Sequence, residues 1–137
     1  ENYRLALDGF DPELIARYDD QKKAELLGNA GIVRNRLKID SCITNARSYL
    51  AILDSGRQFK DYLWDFVEGR PIQNQFVSIA DVPAKTAVSD ALSKRLKADG
   101  FKFVGTTICY ALMQATGMVN DHLVSCHRHR ECAAACP

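Results

Sequence analysis

The sequence predicts an all-α fold, and three observations carry that prediction. From Val33 the run RNRLKIDSCITNARSYLAILDSG places apolar residues at Ile39, Ile43, Ala46, Leu50 and Leu53. This is the 4-3-4-3 spacing of a single helix face held over several turns. Towards the other end, SDALSKRLKADG and FKFVGTTICYALMQATG read as two helices joined by a tight glycine turn. The N-terminal part is punctuated by helix starts and stops, with Asp11 before Pro12, then Asp19 or Asp20, then Gly28 and Gly31.

Taken in order, Glu1 to Leu7 has the look of a helix end stopped by Asp8-Gly9. Asp11 caps a new helix with Pro12 in its first position, where the missing N–H costs nothing, and this helix runs to about Tyr18. Asp19 or Asp20 caps the next, which turns Leu26 and Leu27 inward before Gly28 and Gly31 break it. The long helix follows and ends at Gly56. Phe59, Leu63, Phe66 and Val67 define a short helix closed by Gly69 and Pro71, in which Trp64 reads as a core residue. GRPIQNQFVSIADVPAKTAV has two prolines and no sustained period, so it reads as an extended connection. In the hairpin, Val88, Leu92 and Leu96 mark the inner face of the first helix, with Ser89 as N-cap and Gly100 at the left-handed exit. Val104, Ile108, Leu112 and Ala115 mark the second helix, which Gly117 closes.

At 137 residues, 47% hydrophobic and 26% charged, the chain suits one compact helical domain spanning 1–137. A net charge of +1 supplies no global field for a polyanion, so any nucleic-acid contact must come from local cations and backbone groups. There is no apolar run of membrane-spanning length and no signal-peptide pattern, which makes a soluble, cytoplasmic protein with no membrane partner the expectation. Residue 1 is Glu and ENYRLAL already reads as structured, so an N-terminal segment is expected to be missing.

A helical hairpin can offer backbone N–H groups to a phosphate at a helix N-terminus. Arg34, Arg36 and Lys38 near the start of the long helix read as a solvated face, with phosphate contact as the minority reading. Cys42 and Cys109 sit at helical apolar positions, whereas Cys126, Cys132 and Cys136 crowd the C-terminus beside all three histidines. In a helical Asp121–Cys126 stretch, His122 and Cys126 would share a face at a spacing suited to two zinc ligands. Cys132 and Cys136 then complete the site locally, or other ligands come from elsewhere, or residues 127–137 form a flexible tail. No P-loop, dinucleotide fingerprint or supported Ser-His-Asp arrangement occurs, and Asp61, Asp65 and Glu68 read as a polar face.

The runs GNAGIVRNRLKIDSCITNARSYL, LWDFVEGRPI and SDALSKRLKADGFKFVGTTICYALMQATGMVNDHLVSC strongly resemble bacterial DNA-3-methyladenine glycosylase I, of the helix-hairpin-helix glycosylases. The resemblance runs from ENYR to about Cys126, with GFKFVGTT and NDH-x3-C as its specific motifs. It implies an enzyme of base-excision repair that flips 3-methyladenine out of double-stranded DNA and hydrolyses its N-glycosidic bond. The methylated purine already carries positive charge and is a good leaving group. Gly100, Lys102, Gly105 and Thr106 become the DNA-binding residues, although Lys102 stands where relatives in the superfamily usually have a second glycine. Val104 occupies the position of the lyase lysine in bifunctional relatives, which implies hydrolysis by water with no Schiff base.

Asp121 falls where many superfamily members keep a catalytic aspartate and is the catalytic candidate here; the other reading is a helix cap or a group that orients His122. The resemblance assigns base recognition to the N-terminal segment, so the fragment alone is expected to be inactive. It also implies one structural Zn2+, with His122 and Cys126 as two ligands and the others from that segment. The expected partners are duplex DNA containing 3-methyladenine and, as a separate chain, the protein's own N-terminal segment; the protein is otherwise expected to be a monomer. The alternative is a non-catalytic helix-hairpin-helix DNA-binding module with a terminal zinc site.

Overall fold

The computed structural model describes residues 1–134. Its elements are α1 (Asn2–Ala6), α2 (Pro12–Ala16), α3 (Asp20–Gly28), α4 (Arg36–Asp54), α5 (Phe59–Trp64), β1 (Ile72–Gln73), α6 (Ala87–Ala98), α7 (Thr106–Ala115), β2 (Val119–Asn120) and α8 (His127–Ala134). Single 3-10 turns lie at Asp8–Phe10, Asp65–Val67 and Ile79–Asp81. The all-α class holds, with one two-residue parallel pairing of Ile72 with Val119 and Gln73 with Asn120. Where the sequence suggested a single domain, the chain divides into two compact units. One is Glu1–Phe59 with Leu96–Phe103; the other is Lys60–Arg95 with the residues from Val104 on.

The first unit is built on α4. Ile39, Ile43 and Ala46 on its inner face join Leu7, Ile15, Leu26 and Ile32 in one buried cluster. The expected caps are present at the helices that feed it. Asp11 accepts from the N–H groups of Glu13 and Leu14, and Asp19 accepts from Lys22 N–H at 2.8 Å. Asn35, not singled out in the sequence, caps α4 by accepting from Lys38 N–H at 3.1 Å. Segment 96–103 is tied in by Phe101, whose ring stands 6.0 Å from that of Phe59, itself edge-on to Tyr49 at 5.0 Å.

In the second unit Tyr62, Leu63, Val67, Leu92, Cys109, Tyr110, Met113, Met118 and Val119 are buried. Ser89 is not the N-cap of α6. Thr86 caps it in a reciprocal box: Thr86 N–H donates to Ser89 Oγ at 2.8 Å, and Ser89 N–H donates to Thr86 Oγ1 at 3.3 Å. The face of α7 is also corrected. Cys109, Tyr110 and Met113 point inward, while Ile108 and Leu112, from the expected stripe, are exposed. TTICYALMQA is apolar almost all round, so a 4-3 spacing can be traced on either side and periodicity alone cannot choose.

The connection after Gly69 contains β1 and the 3-10 turn at Ile79–Asp81, which is closed by a capping box between Ser78 and Asp81. Residues 127–137, expected as a flexible tail, form α8 as far as they are described. The reason is polar: Asn120 Nδ2 donates to the His129 carbonyl at 2.9 Å, and His129 Nε2 donates to the Asn74 carbonyl at 2.8 Å. These bonds hold the buried His129 against the ends of both strands. No helix among the described residues is long and apolar enough to cross a membrane.

Candidate functional site

The hairpin turn follows directly from the end of α6. Phe101 N–H returns to Leu96 O at 2.9 Å and Gly100 N–H to Lys97 O at 3.2 Å, the paired bonds of a Schellman exit. Gly100 has φ 92, and a Cβ there would stand 2.9 Å from Ser48 Oγ. The left-handed backbone therefore favours glycine, and a Cβ would in addition displace the Ser48 hydroxyl. Lys102 comes next, and its backbone is held by one side chain: Lys102 N–H donates to Asn45 Oδ1 at 2.7 Å, and Asn45 Nδ2 donates to Lys102 O at 3.1 Å. Phe103 then takes φ 56, a left-handed conformation that bulky residues rarely adopt, with its side chain 49% exposed. Among the described residues nothing accepts from Phe103 N–H.

In the second unit Gly105 is the N-cap of α7 and has no side-chain capping bond. Its φ of −61 suits any residue, and a Cβ there would meet nothing within 4 Å. No contact in the fold accounts for this glycine, and the space in front of it is open. Thr106 is tied to the fold, its hydroxyl 2.8 Å from Ser89 Oγ. Ser93 Oγ donates to Val104 O at 2.6 Å and so fixes the start of α7 against α6.

The same unit contains a cavity of about 710 Å3. Trp64, Pro71, Gln114, Val119, Asp121 and His122 are among its lining residues. Trp64 is thus a half-buried wall residue rather than core, because α5 turns Tyr62 and Leu63 inward instead. Asp121 is held by three donors: Asn74 Nδ2 at 2.7 Å on one oxygen, and Tyr110 Oη at 2.6 Å with Gln114 Nε2 at 2.8 Å on the other. Burial, and then this bond, push the Tyr110 phenol well above the usual tyrosine value. A carboxylate so occupied ties the strand ends to α7 and has little acceptor capacity left for a proton from water.

Residues 121–126 are not helical, so His122 and Cys126 do not share a helix face; the segment turns instead, with Cys126 N–H donating to Leu123 O at 2.8 Å. His122 is exposed and Cys126 half-buried. Among the described residues no three His, Cys, Asp or Glu side chains gather to hold a metal ion. Cys136 lies outside the described residues. One imidazole and one thiol form a donor pair that suits zinc, but only half of a tetrahedral set.

Comparison with known proteins decides the family. The methyladenine glycosylase family matches residues 1–129. The chain belongs to the methyladenine glycosylase family. It is 48% identical over 126 residues to DNA-3-methyladenine glycosylase 1 of Escherichia coli (strain K12), covering 92% of this chain and 67% of that protein. A crystal structure of 3-methyladenine DNA glycosylase I superimposes with a TM-score of 0.90 at 49% identity, over 92% of this chain and 69% of that one. The 3-methyladenine DNA glycosylase I of Staphylococcus aureus, solved for the basis of its 3-methyladenine recognition, gives 0.88 at 31% identity, over 92% and 67%. The chain thus spans about two thirds of the length of these relatives.

Within this methyladenine glycosylase chain, the residues expected to act together are distributed. Gly100 and Lys102 belong to the first unit; Gly105, Thr106, Asp121, His122 and Cys126 belong to the second. Sequence reading missed Asn45 and the donors to Asp121. Asn45 sits amid helix positions selected for their apolar spacing, where a polar residue reads as solvent-facing. Its partner is 57 residues away. Tyr110 and Gln114 carry a weak signal, both lying on the helix that precedes Asp121.

Proposed function

We propose that this chain acts as a DNA-3-methyladenine glycosylase, turning the damaged nucleotide out of duplex DNA and hydrolysing its N-glycosidic bond. The observation that carries this reading is the likeness to the Escherichia coli enzyme, 48% over 126 residues. The turn that follows α6 supports a role in gripping the DNA backbone. It offers a Phe103 N–H with no acceptor among the described residues, an exposed Lys102 and an open approach at Gly105. Extrusion is necessary because the bond cannot be reached within the stack. Val104, with no amine, leaves water as the nucleophile and the phosphodiester backbone uncut.

Asp121 is assigned a positioning role, since three donors already occupy it. His122 and Cys126 are assigned as two ligands of a structural zinc ion, which would fix the turn after β2. The reaction is tested by incubating the chain, alone and extended to the full length of its relatives, with alkylated duplex DNA and following free 3-methyladenine by chromatography. The expected result is release of the base by the extended chain and none by the 137 residues alone, from a strand that breaks only on later alkali treatment. Duplex binding without any release by the extended chain favours the non-catalytic DNA-binding module. Strand scission without alkali contradicts the hydrolytic reading.

A further inference from the structure

We infer that Asn45, on α4, is the positioning residue that sets the DNA-gripping turn; this rests on the hairpin reading above. A carboxamide is the side-chain equivalent of a peptide unit, with one donor and one acceptor side by side. Asn45 places both on the backbone of Lys102, at 2.7 Å and 3.1 Å, and closes a ring like that of two paired strands. One side chain thereby satisfies both the N–H and the C=O of the same exposed residue. Residues 101–104 belong to no helix or strand, and apart from Asn45 the turn is held at its far end by Ser93 Oγ, which donates to Val104 O.

The next residue shows why such a clamp is needed. Phe103 sits at φ 56, and its ring, 49% exposed, gains little burial there to offset the left-handed backbone. The conformation must therefore be held from outside. Asn45 fixes one side of it through Lys102, and Gly100, at φ 92, fixes the exit from α6. The clamp orients the Lys102 peptide, leaves the Lys102 ammonium exposed and turns Phe103 N–H away from any internal acceptor among the described residues. It does so with a neutral group that adds no repulsion towards a phosphate. Lys102 is the residue that meets DNA, and Asn45 acts through it.

The test measures binding of the full chain to a fluorescein-labelled duplex at several salt concentrations, with Asn45→Ala, Asn45→Gln and Lys102→Ala compared. Asn45→Ala, verified as folded by circular dichroism, is expected to bind at least tenfold more weakly, and Asn45→Gln, which keeps the amide, to recover part of the loss. Lys102→Ala is expected to lower the slope of log affinity against log salt by about 0.9, the release of one counterion. Asn45→Ala binding like the wild type overturns the positioning role, whereas an unchanged slope in Lys102→Ala, or a wild type that does not bind, overturns the hairpin reading itself. Amide hydrogen exchange on the unmodified chain decides the matter even where Asn45→Ala does not fold. Slow exchange at Lys102 N–H without DNA, with Phe103 N–H slowed only when duplex is added, supports the clamp. Rapid exchange at Lys102 in the free chain overturns it.

Discussion

The Tyr110 hydroxyl donates to a carboxylate oxygen of Asp121 across 2.6 Å, and that oxygen also accepts from Gln114 Nε2 at 2.8 Å. Tyr110 is 2% exposed, so a phenol deprived of this acceptor has no water to turn to. Asp121→Asn sets a donor-bearing amide against three donors, and Tyr110→Phe removes one of them. Each is expected to cost about 1–3 kcal/mol in urea unfolding, with the pair non-additive because both act on one network. An Asp121→Asn chain of unchanged stability would remove the structural account of this carboxylate.

The same pair makes stability depend on pH at the alkaline end. Burial, then the bond to Asp121, raise the Tyr110 pKa above its unfolded value, and burial with the bond to Asp8 does so for Tyr18. The unfolded chain therefore gives up these protons first as pH rises, and unfolding is favoured by each proton released. The contribution is fully present below about pH 10, the unfolded tyrosine value, and is lost as pH rises from there towards the folded values. Urea unfolding from pH 9 upward is expected to show falling stability, less steeply in Tyr110→Phe. An identical slope in that variant would show that Tyr110 does not carry the effect.

Much of this architecture is written locally. Asp11-Pro12, the 4-3 stripe of α4 and the glycine exits at Gly100 and Gly117 each state their conformation within a few residues, and each recurs in the structure. What is not legible depends on partners far along the chain. The clamp of Asn45 on Lys102 spans 57 residues, and the bond from Asn74 to Asp121 spans 47. α8 has mostly polar residues and no apolar stripe, and its place is fixed by a buried histidine bonded to a carbonyl 55 residues away. The inner face of α7 was misread for the opposite reason, since apolar residues on every side leave the choice to tertiary packing.

His122 and Cys126 give an expectation specific to metal. One imidazole and one thiolate bound to cobalt(II), a zinc substitute, produce the visible bands of a tetrahedral site with a sulfur ligand. In the protein extended to the full length of its relatives and loaded with cobalt, His122→Ala and Cys126→Ala are each expected to abolish those bands, while Cys132→Ala leaves them unchanged. Bands that vanish in Cys132→Ala would favour a local site including that thiol, against the arrangement of the described residues.

The two glycines of the turn separate fold from function. Gly100 takes φ 92 with Ser48 Oγ 2.9 Å from where a Cβ would stand, so Gly100→Ala is expected to destabilise the chain by about 1–3 kcal/mol. Gly105 takes φ −61 with open space in front of it, so the entropy that Gly105→Ala removes from the unfolded chain offsets the poorer N-cap, and stability is expected to change by less than about 1 kcal/mol. If a DNA backbone approaches the N-terminus of α7, that open space is where the added methyl group projects, and duplex affinity falls although the fold is intact. Thermal melting and duplex titration of both variants make the comparison. A Gly105→Ala chain that keeps both its stability and its affinity would place the DNA backbone elsewhere. Loss of affinity without loss of stability would place it against Gly105, the one glycine of this turn that neither its own backbone nor its protein neighbours require.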